Sequence, residues 1–169
     1  MMRRLLVLGT VALAFVATAC SGGSDLTLEQ YFDKLHGLQT SFEQKGKDLQ
    51  AELQTKVQGI TTDAEGLPLF KGFLEDSLTA VDGLVDDLEA IDPPGEVQSQ
   101  HQDFITAGKA IRDAAADVIG RFDEFTSVDE VAQLFTTDLA DIGQQGTDAC
   151  NALQSVADDN DINVDLSCG

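Results

Sequence analysis

Four stretches of the chain carry apolar residues at steps of three, four and seven, the spacing of one face of an α-helix. They cover residues 28–60, 70–91, 97–122 and 128–156. Such helices are stable only when their apolar faces pack against one another. Four of them joined by short loops predict an all-α domain, built as an antiparallel up-down-up-down four-helix bundle.

Turn and capping residues set the predicted ends of these helices. Residues 61–68 include glycine and proline and predict the first turn. Residues 92–95 read Asp-Pro-Pro-Gly and stop the second helix, because proline lacks the amide proton and disfavours helix in the residue before it. Two capping boxes, at residues 27–30 and 127–130, predict the starts of the first and fourth helices.

The first 19 residues have the parts of a secretory signal. Arg3 and Arg4 form a short positive segment, and residues 5–19 form an uncharged, mostly apolar run. That run is shorter than the ~20 residues that a membrane-spanning helix needs. We therefore expect residues 1–19 to be removed on export.

The end of this segment resembles the lipobox of bacterial lipoproteins, in which a large aliphatic residue and two small ones precede a cysteine. Thr18 and Ala19 match the small positions before Cys20, while Ala17 stands where a leucine is usual. The resemblance implies that Cys20 is lipidated on its sulfur and becomes the first residue. The alternative is an ordinary signal cut after Ala19, with Cys20 left as a free thiol.

Lipidation at Cys20 predicts a protein that is exported and held at the cell membrane on the extracytoplasmic side. Two or three acyl chains give a stable anchor where one is only marginal. Residues 20–26 are then the lipidated cysteine and a flexible tether, and residues 27–169 form the helical domain. The four residues 21–24 reach only about 11 Å on average, so the domain sits close to the membrane.

The chain has three cysteines, and lipidation of Cys20 leaves Cys150 and Cys168 as an even pair. In an oxidising, exported compartment these two are expected to form a disulfide. They are 18 residues apart, and the chain-entropy model gives such a loop about 3 kcal/mol of stabilisation. We expect this bond to pin the C-terminal tail to the bundle.

The domain after the signal is strongly acidic. Residues 20–169 hold 30 acidic and 8 basic side chains, a formal charge of −22. This charge disfavours nucleic acid and anionic lipid as partners, because both bind basic patches. Solvated helix faces explain the charge most simply, and a cationic partner or cation buffering is the alternative.

One weak metal motif occurs in the tail. Asp159, Asp161, Asn163 and Asp165 alternate like the ligands that open an EF-hand-type calcium loop. Val164 replaces the required glycine, and no glutamate follows to complete the loop. An acidic turn is therefore favoured over calcium binding, and no cofactor is predicted.

Recognisable catalytic motifs are absent from the sequence. The histidines occur without the paired Glu-x-x-His motifs of di-iron bundles, and we expect His101 to lie in the core and His36 at the surface. There is no phosphate-binding glycine loop and no Gly-x-Ser-x-Gly elbow. A carboxylate-based enzyme remains an alternative only because 30 acids always offer close pairs.

The region after the signal is similar in pattern to acidic all-helical lipoproteins of bacteria. The similar parts are residues 28–32, residues 88–96 before His101, and the closing stretch from Cys150 to Cys168. The resemblance implies no particular activity. The leading prediction is a non-enzymatic interaction module with an unidentified protein partner, and the alternative is a lipoprotein that binds a small ligand or a cation. A fully packed core would favour the first, whereas a large cavity with convergent polar groups would favour the second.

Overall fold

The computed structural model describes residues 26–137 and 140–168. The predicted signal, Cys20 and the tether up to residue 25 lie outside these ranges. All regular structure in the described ranges is helical, which confirms the all-α prediction. The helices are α1 Leu28–Lys56, α2 Asp63–Glu89, α3 Gln98–Gly120, α4 Val128–Thr137 and α5 Ala140–Asp159, with single 3-10 turns at Gly95–Val97 and Phe122–Glu124.

The start of α1 confirms the first capping box. The Gln30 amide donates to the Thr27 hydroxyl at 3.2 Å, and the Thr27 amide donates to Oε1 of Gln30 at 3.0 Å. The second box is only half formed. The Glu130 amide donates to Ser127 Oγ at 3.2 Å, whereas the Glu130 carboxylate accepts from the Thr126 amide at 2.7 Å.

The turn before α2 ends earlier than predicted. Gly59 has a φ of +91°, a left-handed conformation that glycine adopts without strain, and Thr62 is the extended residue before α2. Pro68 therefore lies inside the helix rather than in the turn. It removes one amide donor in the second helical turn, and 27 residues of otherwise continuous helix tolerate that loss.

Helices α1, α2 and α3 pack in chain order, and α5 packs on α3. Their apolar faces form two separate clusters of buried residues. The tail-end cluster contains Tyr31, Phe32, Leu35, Leu88, Ile91, Val97, Ile105, Cys150, Leu153, Ala157 and Leu166. The far cluster contains Leu74, Val118, Phe122 and Val131. Since Leu88 and Leu74 are 14 residues apart on α2, the clusters are separated by about 21 Å along that helix.

The predicted fourth helix is described as two helices, α4 and α5, on either side of residues 138 and 139. α4 contacts both α2 and α5, and its Val131 belongs to the far cluster. α5 carries the apolar face toward the tail-end cluster through Cys150, Leu153 and Ala157. The apolar residues of the predicted fourth helix thus contribute to both clusters, through α4 to the far cluster and through α5 to the tail-end cluster.

A Schellman motif ends α5 and turns the chain back. The Ile162 amide donates to the Ala157 carbonyl at 2.9 Å, and the Asp161 amide donates to the Asp158 carbonyl at 3.1 Å. Asp161 takes the left-handed position of this motif, with a φ of 55°. Residues 160–168, called the tail here, then run back along the helices.

Candidate functional site

A cavity of about 370 Å³ lies between the two clusters, beside the middle parts of the long helices. Each of α1, α2, α3 and α5 contributes to its wall, and so does the tail. The aliphatic and aromatic wall residues are Leu35, Leu38, Phe42, Val81, Leu84, Val85, Leu88, Phe104, Ile111 and Leu166. The tail-end cluster supplies part of this wall, and the side chains do not fill the space beside it.

Small residues on α3 and α5 leave this space open. Ala107 and Gly108 line the cavity from α3, and Gly143 and Gly146 line it from α5. A Cβ atom at Gly108 would lie only 3.1 Å from Cγ2 of Val85, so glycine permits the close approach of α3 to α2 there. No side chain from these positions reaches into the cavity, because none of them extends beyond a methyl group.

The mouth of the cavity lies where its lining residues reach solvent. Ile111 on α3 is 37% exposed, although it is a large apolar residue, and Gly143 on α5 is also exposed. Glu43 on α1 is the charged residue of the lining, and its side chain is 42% exposed. Its carboxylate lies 3.6 Å from Nζ of Lys47, an exposed pair that contributes little to stability.

The lining of the cavity is mostly apolar. Among the described residues its polar side chains are Gln39, Glu43, Thr147 and Ser167, and no described histidine, lysine, arginine or aspartate belongs to it. These four do not form a nucleophile–base pair in the hydrogen bonds described for the chain. An interior of this kind favours an apolar ligand through the hydrophobic effect.

The volume limits the size of that ligand. An engineered apolar cavity of about 150 Å³ holds benzene, a ligand of six carbon atoms. By the same ratio, about 370 Å³ accommodates about 15 non-hydrogen atoms. This matches one unbranched hydrocarbon chain of moderate length.

A buried polar pair lies beside the cavity, in the tail-end cluster. The Tyr31 hydroxyl is 3.1 Å from Nδ1 of His101, and the rings pack edge to face with centroids 5.7 Å apart. Burial lowers the pKa of His101, and the Leu88 carbonyl opposes that shift by a smaller amount. Burial also raises the pKa of Tyr31. A neutral imidazole that accepts from the tyrosine hydroxyl satisfies both groups, so His101 is a core histidine as predicted.

The structure places the predicted disulfide residues on the cavity wall. The sulfur atoms of Cys150 and Cys168 are 2.07 Å apart, which is disulfide distance, and both residues line the cavity. Cys20, the predicted lipidation site, lies outside the described residues. His36 is exposed as predicted, but its Nδ1 also lies 3.0 Å from the Asp165 carbonyl oxygen.

The weak calcium motif does not assemble a metal site in the described part of the chain. Asp159 ends α5, Asp161 occupies the Schellman turn, and Asp165 accepts from the Ser167 amide at 2.8 Å. Within residues 26–137 and 140–168, no three histidine, cysteine, aspartate or glutamate side chains come together as metal ligands. None of the helices described is both long and apolar enough to cross a membrane.

Comparison of the chain with protein-family models, with curated proteins and with solved structures finds no match. The cavity is therefore interpreted from its own residues. Sequence reasoning missed it, and the available signal was the pair Gly143 and Gly146 within the apolar stripe of the fourth helix. Gly143 is exposed and Gly146 is half-buried, and together they leave two lining positions of α5 without a side chain.

Proposed function

We propose that this protein is a lipid-anchored, extracytoplasmic binding protein that takes up one apolar chain of a small amphiphile in its central cavity. The observation that carries the proposal is the cavity of about 370 Å³ with its almost entirely apolar lining. Among the alternatives drawn from the sequence, the unfilled cavity supports the small-ligand lipoprotein over the interaction module, and its apolar lining, without convergent polar groups, points to an apolar ligand.

The proposed arrangement is an antiparallel up-down-up-down bundle, with α4 and α5 together as the fourth member and the tail pinned by the Cys150–Cys168 disulfide. Packing of α1 on α2, α2 on α3 and α3 on α5 supports it. The start of α1 and the end of α5 both contribute to the tail-end cluster, as this topology requires.

Lipidation at Cys20 would place the tail-end cluster next to the membrane. α1 begins at Leu28, and Tyr31 and Phe32 of its first turn already belong to that cluster. With only seven residues between the lipidated cysteine and the helix, the cavity entrance stays within a few nanometres of the bilayer surface. An amphiphile leaving the bilayer therefore has only a short distance to cover before it reaches the cavity.

The acidic residues of the cavity lining do not support the alternative of a carboxylate-based enzyme. Among the described residues, Glu43 is the only acid that lines the cavity, and a glycosidase-type mechanism requires two carboxyl groups across the bound substrate. The strong negative charge of the remaining surface keeps a protein with an apolar cavity soluble and disfavours its aggregation.

Native mass spectrometry of the full-length protein released from its own membranes tests the proposal. We expect a bound species at one copy per chain, whose mass corresponds to a single-chain amphiphile and which is lost on organic extraction. A protein that carries only its covalent lipid, and that gains no mass when incubated with single-chain amphiphiles, would contradict the proposal.

A further inference from the structure

The tail forms part of the cavity wall, although it follows the last helix. Leu166, Ser167 and Cys168 all line the cavity. We propose that the tail is the end wall of the cavity and that Leu166 determines the longest hydrocarbon chain that the cavity accepts. This inference rests on the proposed function, because it assigns the length specificity of the same site.

Leu166 occupies the boundary between the cavity and the tail-end cluster. Its side chain is only 3% exposed and packs in that cluster, yet it also lines the cavity. Leu35 and Leu88 share both properties, on α1 and α2. Together with Cys150 of α5, which also has both properties, these three leucines close one end of the cavity. Leu166 is the one that comes from outside the helices.

Hydrogen bonds hold the tail in this position. The Leu166 amide donates to Oε1 of Gln154 at 2.9 Å, and Nε2 of Gln154 donates to the Val164 carbonyl at 3.0 Å. The oxygen and the nitrogen of the Gln154 side-chain amide thus both bind tail backbone groups, in the way that the backbone of a neighbouring β-strand would. On the other side, the Asp165 carbonyl lies 3.0 Å from Nδ1 of His36 on α1.

The cysteine pair holds the tail at a second point, just after these hydrogen bonds. Cys168 follows Leu166 by two residues, and its sulfur is at disulfide distance from that of Cys150 on α5. The tail is thereby attached to α5 on both sides of Leu166 and to α1 beside it. An end wall with these attachments has a fixed position, so it can discriminate between chains of different length.

The length limit follows from the volume of the Leu166 side chain. Replacing leucine by alanine removes three carbon atoms and leaves a space that the surroundings fill only in part. In Leu166→Ala that space joins the existing cavity instead of forming a separate void. We expect the preferred chain to become longer by about two to three methylene groups.

Photolabelling of the full-length protein in its native membranes tests the inference. The probes are single alkyl chains of about 8 to 18 carbons, a range that brackets the cavity volume, each with a diazirine at the chain end. The labelled peptides are located and counted by mass spectrometry. For the wild-type protein we expect one preferred length, with the label on the tail and on the α1 segment around Leu35.

Leu166→Ala should shift the preferred length upward, and Leu166→Val should shift it by a smaller amount. The matched control is Leu74→Ala, which removes the same atoms from a buried leucine of the far cluster that does not line the cavity. It should leave the preferred length unchanged. The valine variant keeps the test valid if the alanine variant does not fold.

Each outcome decides a different claim. If no probe labels the cavity residues of the wild-type protein, the proposed binding function fails, and the length assignment fails with it. If the wild-type protein is labelled with a preferred length that Leu166→Ala and Leu166→Val do not change, the end-wall inference is overturned and the binding function stands.

Discussion

The Tyr31 hydroxyl lies 3.1 Å from Nδ1 of His101 and joins the first turn of α1 to the first turn of α3. His101 is 4% exposed and Tyr31 is fully buried. No buried side-chain polar atom in the described part of the chain lacks a hydrogen-bond partner. The pair therefore adds a directional contact to the tail-end cluster without the cost of an unsatisfied polar group.

This pair predicts that stability decreases as the solution becomes mildly acidic. Burial lowers the pKa of His101 below its ordinary value of 6.5. Just below pH 6.5 the unfolded chain therefore binds a proton that the folded chain does not, so the free energy of unfolding falls as the pH drops through that window. Urea unfolding curves at pH 7.5, 6.5 and 5.5 measure the effect.

The control for this prediction is His101→Asn, which keeps a hydrogen-bonding group near the Nδ1 position but does not titrate. The acidic residues contribute to the pH dependence of both proteins, so the difference between the two curves reports on His101. A difference that stays constant from pH 7.5 to 5.5 would show that His101 does not titrate differently in the folded and unfolded chains.

The left-handed residue at the end of α5 predicts a stabilising substitution. Asp161 has a φ of 55° at the position of the Schellman motif where glycine is usual. Asp161→Gly should raise the free energy of unfolding by about 0.5–1 kcal/mol, because glycine adopts this conformation without the steric cost of a Cβ atom. Thermal or urea unfolding monitored by circular dichroism checks the change.

Asp159→Gly is the matched control, since it removes the same charge two residues earlier, within the last turn of α5. It should lower stability or leave it unchanged. In both variants and in the wild-type protein, millimolar calcium should not alter the melting temperature. A calcium-dependent rise that Asp161→Gly abolishes would instead support the calcium interpretation of the tail.

The cysteine pair predicts a dependence of stability on reducing agents. The bond would close a loop of 18 residues, and its loss should lower the free energy of unfolding by about 3 kcal/mol. Urea unfolding with and without a dithiol reductant measures the difference. The double variant Cys150→Ala/Cys168→Ala should unfold like the reduced protein and should not respond to the reductant. Equal midpoints for the oxidised and reduced wild-type protein would contradict a disulfide.

Lipidation at Cys20 predicts incorporation of a labelled fatty acid in the native host. Wild-type protein should carry the label and fractionate with membranes, because two or more acyl chains anchor stably. Cys20→Ala should lose both properties, whereas Cys168→Ala should keep them. An unlabelled wild-type protein would contradict the lipobox interpretation.

The sequence predicted the helical class well, because the apolar spacing and the Thr27 capping box are local signals. It predicted the start of α2 less well, since Pro68 is a turn signal that a long, otherwise continuous helix overrode. Asp161 shows a similar limit. Its carboxylate suggested a metal ligand, while its backbone conformation, which the sequence does not reveal, ends a helix.

The cavity was beyond sequence reasoning for a physical reason. Helical spacing shows which residues face inward, but not whether residues from neighbouring helices meet. At Gly146 the missing side chain makes room for Ile111 of α3, whose Cδ1 lies 3.4 Å from where a Cβ atom would be. That relationship depends on how far α3 and α5 are shifted along their axes relative to each other, and the loop lengths alone do not determine this shift.

The central claim is that an apolar chain binds between the two clusters, and a binding titration with a blocked variant tests it most directly. In Gly146→Leu the new side chain starts at a lining position next to Ile111, so we expect it to take up cavity volume, while the substitution favours the helix. Gly83→Leu places the same side chain at an exposed position on α2, away from the cavity.

The titration measures the dissociation constant of a fluorescent single-chain amphiphile for the chain from residue 21 onward, which retains all described residues. We expect saturable binding at one site in the wild-type protein and in Gly83→Leu, and at least tenfold weaker binding in Gly146→Leu. Equal affinity of all three proteins, or no saturable binding to the wild-type protein, would contradict the account.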